Sequence, residues 1–143
     1  YGRERGYRMK TIILASHGHF AEGLLDTLQI IAGKQNHIET YCAYTKKGNI
    51  VNDISNLMKR HEGEELIVCT DLYGGSVNNC FMQYLQRPGF YLIAGINLPI
   101  LLEIICREQQ DTYSMLNDIL KQNDQYIKFC NQISLQNVIT EEF

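Results

Sequence analysis

A doubly wound α/β domain, with a mostly parallel sheet and helices on both faces, is the fold class this sequence predicts. Three observations carry it. Short apolar runs recur at Thr11–Ala15, Leu66–Thr70 and Phe90–Ile96, and each reads as a strand buried on both faces. Stretches with helical spacing of apolar residues alternate with them, which implies parallel strands joined by crossover helices. The chain has 143 residues, enough for one domain with a real core.

Taken in order, Thr11–Ala15 runs into Ser16-His17-Gly18-His19, and a helix follows over Phe20–Ala32. That helix carries Leu24, Leu28, Ile31 and Ala32 on one stripe, with Gly33 placed as its C-cap. His37–Tyr44 alternates as a strand does. Asn49–Arg60 repeats the helical stripe through Ile50, Ile54, Leu57 and Met58. After Leu66–Thr70 comes Asp71-Leu72-Tyr73-Gly74-Gly75-Ser76, then a helical face made by Val77, Cys80, Phe81, Tyr84 and Leu85. Pro88-Gly89 turns the chain into Phe90–Ile96. Asn97 is placed to cap a helix with Pro99 in its first turn, running to about Arg107. Thr112 is the expected cap of a last helix, to about Lys121, and Tyr126–Cys130 is expected as a final strand. Tyr1–Arg8 is Arg-rich and patternless and reads as an appended remnant, which makes Met9 the natural start and Met9–Phe143 the domain.

For a chain this short the flavodoxin-like arrangement, with the first strand beside the third, is the natural one. It brings His17 and Asp71, each just past a strand end, to one crevice about 5 Å across. An aspartate there accepts the proton of one imidazole nitrogen and leaves the other as a nucleophile. Gly74, Gly75 and Ser76 open the next helix, and their backbone N–H groups and one hydroxyl suit phosphoryl oxygens. His17 therefore reads as a phosphoryl acceptor and donor, with Gly18 beside it. His19 is the competing acceptor; His17 is preferred because it comes first after the strand.

Composition narrows the rest. The formal charge of −3 implies no general affinity for nucleic acid. The most apolar segment, Tyr91–Cys106, is interrupted by Gly95, Asn97, Pro99 and Glu103, so no membrane span is expected. The five cysteines have no CxxC spacing and read as buried thiols in a reducing cytoplasm. No His/Asp/Glu cluster has metal-ligand spacing, and no cofactor is implied.

SHGHFAEGLL (Ser16–Leu25), DLYGGSVNN (Asp71–Asn79) and AGINLPILLE (Ala94–Glu103) resemble, in order and spacing, the mannose-family enzyme IIA domain of the bacterial sugar phosphotransferase system. The resemblance covers about Met9 to Cys130. It implies sheet order 2-1-3-4 and a homodimer made by exchange of a C-terminal antiparallel edge strand near Tyr126–Cys130. It also implies that His17 takes a phosphoryl group from HPr and gives it to a histidine of an enzyme IIB subunit, with Asp71 orienting it and Gly74–Ser76 lining the site. The chain departs from the family at Val77, where proline is frequent, and at Tyr73, where tryptophan is. Two alternatives stay open: a phosphoryl donor for a dihydroxyacetone kinase, and a non-catalytic regulatory module of the same fold.

Overall fold

A computed structural model describes residues 10–107 and 110–134. The expected remnant at Tyr1–Arg8, and Met9, lie outside those residues. The elements are β1 (Lys10–His17), α1 (Phe20–Ala32), β2 (Ile38–Ala43), α2 (Ile50–Arg60), β3 (Glu65–Thr70), α3 (Ser76–Met82), β4 (Phe90–Ala94), α4 (Leu98–Cys106) and α5 (Thr112–Leu120). The four strands form one parallel sheet in the order β2-β1-β3-β4. Among the described residues no helix is long and apolar enough to cross a membrane.

Strand alternation divides the core in two. Ile12, Leu14, Ile67 and Cys69 face one side and pack against α1, α4 and α5 through Leu24, Leu28, Leu101, Ile104 and Met115. Ile13, Ala15, Leu66 and Val68 face the other and meet Ile54, Leu57 and Met58 of α2 and Val77 and Phe81 of α3. Since β1 and β3 are central and covered on both faces, their sequences are apolar without alternation.

Several expectations need correction. In α1 the buried residues are Ala21, Leu24 and Leu28; Ile31 is half-buried and Ala32 exposed, so the buried stripe stops short of the last turn. Leu85 lies beyond the end of α3 and is exposed. The cap of α5 is Asp111, whose carboxylate accepts from the Ser114 N–H at 3.0 Å. Thr112 instead turns inward and its hydroxyl donates to Glu65 Oε1 at 2.9 Å. Of the cysteines only Cys69 is fully buried; Cys106 and Cys130 are exposed. Burial pushes the Cys69 thiol up to about 12.

The C-terminal segment also differs. Tyr126–Cys130 is not a strand: after the 3₁₀ turn Asn123–Gln125, Tyr126 packs against the core while Ile127 and Phe129 are exposed. A strand exists only where a neighbour supplies ladder hydrogen bonds, and in this single chain the segment joins no sheet.

Candidate functional site

Three chain segments meet at the carboxyl edge of the sheet. The first is the turn after β1, which Ser16 shapes. Its buried hydroxyl accepts from the Ala21 N–H at 2.8 Å and donates to the Gly18 carbonyl at 3.2 Å. Ser16 thus serves the first turn of α1, whose formal cap, His19, makes no side-chain cap bond. Gly18 stands at φ +58, and its N–H donates to the Ala43 carbonyl at 2.9 Å, so that amide is committed to the turn.

The second segment follows β3. Thr70 donates to Asn78 Oδ1 at 2.7 Å, both residues being buried, and this ties the strand end to α3. The Thr70 carbonyl accepts the N–H groups of Gly95 and Ile96 at 2.9 Å each, which joins the end of β4 to the same edge. Between Thr70 and Asn78 the chain presents Asp71 and the Gly74-Gly75-Ser76 turn.

Asp71 and His17 meet here. One oxygen, Asp71 Oδ2, accepts both the backbone N–H and the ring Nδ1–H of His17, each at 2.9 Å. Burial alone would push the Asp71 carboxyl up. The two bonds from His17, with the charge of its ring, outweigh that and hold the carboxyl below the usual aspartate range. An ionised carboxylate has only acceptors, so Nδ1 carries the proton and, in the neutral imidazole, the lone pair sits on Nε2. The His17 side chain is 41% exposed and that of Asp71 17%, so the carboxylate is set behind an accessible ring.

Nε2 faces Ser76, whose Oγ lies 3.3 Å away. Gly75 makes this approach possible: a Cβ there would stand 3.1 Å from His17 Cε1 and 3.3 Å from the Leu72 carbonyl. The Gly75 N–H itself donates to that carbonyl at 3.2 Å. Gly74 takes φ +81 and its carbonyl accepts from Asn79 Nδ2 at 3.1 Å.

The third segment, just past β2, is one that sequence reasoning missed. Tyr44 stacks on His17 with ring centroids 5.6 Å apart and planes 29° apart, and its hydroxyl lies 2.7 Å from Ser76 Oγ. It holds φ +66, a left-handed conformation unusual for an aromatic residue. The available signal was positional: a residue ending the strand beside β1 must lie on the same edge.

The structure therefore brings Asp71, Gly75 and Ser76 each against His17, with Gly18 and Gly74 shaping the flanking turns. It separates His19, whose Nδ1 pairs with Glu22 Oε1 at 2.7 Å and whose side chain is 75% exposed. The arrangement places one nitrogen of a part-exposed imidazole against the Ser76 hydroxyl, with a carboxylate behind the ring and the Tyr44 hydroxyl next to that of Ser76. A nitrogen so placed has the chemistry of a nucleophile toward an anionic electrophile.

Comparison with known proteins agrees with this topology. Residues 11–120 match the EIIA-man family model, described as PTS system fructose IIA component. The fructose-specific EIIA component of the PTS system in Bacillus subtilis is 25% identical over 134 residues, covering 87% of this chain and 88% of that one. The sorbose-specific EIIA component of Klebsiella pneumoniae is 28% identical over 104 residues, covering 71% and 76%. A crystal structure from Klebsiella pneumoniae subsp. pneumoniae MGH 78578, assigned as a phosphoenolpyruvate-dependent sugar phosphotransferase system permease, superposes with a TM-score of 0.86 at 37% identity. It covers 91% of this chain and 96% of its own.

Proposed function

The chain belongs to the EIIA-man family of phosphotransferase system IIA components, phosphocarriers of sugar phosphotransfer, and from that premise we propose that His17 Nε2 is the phosphoryl acceptor. The observation that carries this reading is the Nδ1–Asp71 Oδ2 bond at 2.9 Å, which leaves the nucleophilic lone pair on the exposed nitrogen.

The step is a displacement at phosphorus. The Nε2 lone pair forms a bond to phosphorus, and the bond between phosphorus and the nitrogen of the donor's histidine breaks, its electron pair staying with the donor. As Nε2 gains the phosphoryl group the ring becomes cationic. Asp71, held ionised, stabilises that charge. The Ser76 hydroxyl, released from Nε2, turns to a phosphoryl oxygen. Tyr44 covers one face of the ring and limits its rotation. Transfer onward reverses these steps.

The donor is the phosphocarrier HPr and the acceptor a histidine of an enzyme IIB subunit, with the reaction taking place in the cytoplasm. A homodimer completes the reading, supported by β4 at the edge of the sheet and by the exposed Ile127 and Phe129.

Incubation with phosphoenolpyruvate, enzyme I and HPr tests the proposal by intact mass. One acid-labile phosphoryl group per chain is expected, kept by His19→Ala and absent from His17→Ala. Labelling of His17→Ala at the wild-type rate overturns it.

A further inference from the structure

Beside the phosphoacceptor edge lies a cleft of about 420 Å³ whose wall includes His19, Glu22 and Cys42. We propose that these three side chains form a site for one divalent transition-metal ion of the zinc class. The site is independent of the phosphoryl-transfer reading.

Sequence spacing hides it. His19 and Glu22 are three apart at the start of α1 and share a helix face, but Cys42 comes twenty residues later, on β2. The fold brings it in: Cys42 is opposite Ser16 in the parallel register of β1 and β2, and its side chain packs against the core beneath α1. The three potential ligand atoms all lie within 4.8 Å of one another.

The geometry is near what such an ion needs. Glu22 Oε1 is 2.7 Å from His19 Nδ1 and 3.5 Å from Cys42 Sγ. Tetrahedral zinc with bonds of about 2.0–2.3 Å sets its ligand atoms roughly 3.3–3.7 Å apart. The carboxylate now collects two donors, the imidazole N–H and the thiol S–H, at the point where a cation would supply the same positive charge. One imidazole nitrogen, one carboxylate oxygen and one sulfur form a borderline-soft set that suits zinc or cobalt and disfavours magnesium or calcium. Water from the open cleft fills the fourth position.

Binding moves protons in a definite way. The Cys42 thiol loses its proton to solvent as the sulfur–metal bond forms. Burial holds that thiol above the ordinary cysteine range, so its proton is still in place when the ion arrives. Lys46, close enough to act on Glu22, opposes the ion; the carboxylate and the new thiolate together offset it. An ion so held ties the turn that carries His17 to β2.

Cobalt(II) titration of the full chain, followed by zinc displacement, reads the site directly. The expected result is a thiolate-to-cobalt charge-transfer band that saturates at one ion per chain and is abolished by zinc. Cys42→Ser is expected to remove the band. His19→Ala and Glu22→Gln, both at exposed positions that do not threaten folding, each weaken zinc affinity about tenfold or more. A wild-type chain without the band, or a Cys42→Ser chain that binds zinc as tightly as wild type, overturns the proposal. Failure of phosphoryl labelling at His17 would leave either result unchanged.

Discussion

Two imidazole–carboxylate assemblies sit at opposite ends of the sheet, alike in distance and opposite in use. At the carboxyl edge, His17 meets Asp71 at 2.9 Å through Nδ1 alone. At the amino edge, His61 bonds Glu64 at 3.0 Å through Nδ1 and Glu39 at 2.7 Å through Nε2, with Arg60 on the second oxygen of Glu39. The His61 side chain is 13% exposed, and both its nitrogens are spent. The pair at the carboxyl edge leaves Nε2 with a neutral hydroxyl, Ser76 Oγ at 3.3 Å, and is lined by glycine. His61, held by carboxylates on both nitrogens, is thus a fastener, whereas His17 has a carboxylate on one nitrogen and on the other a hydroxyl that can turn away.

One substitution in each assembly breaks the comparison most sharply. Asp71→Asn removes the anion that fixes the His17 tautomer, and phosphoryl acceptance is expected to fall by about 100-fold or more in single-turnover labelling. His61→Gln, by contrast, is expected to leave that rate within about twofold. Equal losses from the two substitutions would erase the distinction drawn between the ends of the sheet.

Gly75 sharpens it next. Gly75→Ala adds a methyl that meets the His17 ring at 3.1 Å and the Leu72 carbonyl at 3.3 Å. The ring is the softer neighbour and must tilt away from Ser76. Acceptance is expected to drop roughly tenfold, with the thermal midpoint nearly unchanged, because a displaced nucleophile costs rate before it costs fold. A Gly75→Ala protein labelled at the wild-type rate would remove the close approach from the mechanism.

Stability is where the amino-edge cluster acts. Burial tends to depress the His61 pKa, but Glu64 and Glu39 outweigh it and the pKa is raised. Its contribution is therefore complete below the unfolded value of about 6.5 and lost as pH rises through the folded value. Arg60 first, against burial and with His61, lowers Glu39; His61 first lowers Glu64. Those contributions fade as pH falls through the folded carboxylate values. The stability gap between wild type and His61→Gln should be widest between about pH 5 and 6.5, near 1 kcal/mol after allowing for the exposure of Glu64, and narrower above. Thermal melts across pH measure it; a gap that widens from pH 6 to 8 contradicts the assignment.

The two ends were not equally legible in the sequence. The carboxyl edge was, because His17, Asp71 and Gly74–Ser76 lie within a few residues of apolar strand ends, and strand order alone converges them. Strand order followed from the flavodoxin-like arrangement natural for so short a chain and from the family resemblance; apolar runs alone do not give it, since β4 is as continuously apolar as β3 and yet lies at the edge of the sheet, only partly covered. The amino-edge cluster was not: His61, Glu39 and Glu64 stand in polar stretches where pattern carries no signal. His19, Glu22 and Cys42 escaped for the same reason, since their proximity depends on the register of β2 against β1. The segment Tyr126–Cys130 shows the reverse failure. Its apolar residues match a strand, but strand formation needs a neighbouring edge, and pattern does not record whether one is there.

Tyr44 gives the smallest effect and the finest test, because it separates the ring from the hydroxyl. Tyr44→Phe keeps the stacking on His17 and loses only the bond to Ser76 Oγ, itself freed to turn toward phosphate. Acceptance is expected to change no more than about threefold, since one neutral hydrogen bond is worth about 1 kcal/mol or less net. Tyr44→Gly removes the ring and also relieves a non-glycine residue held at φ +66. Relief of that strain is worth of order 1 kcal/mol, partly cancelled by the greater freedom of glycine in the unfolded chain. The glycine variant should therefore melt no lower than wild type while accepting phosphate several-fold more slowly. If it is both less stable and equally fast, Tyr44 belongs with His61 as a fastener, and its strained backbone serves the fold rather than the exposed nitrogen.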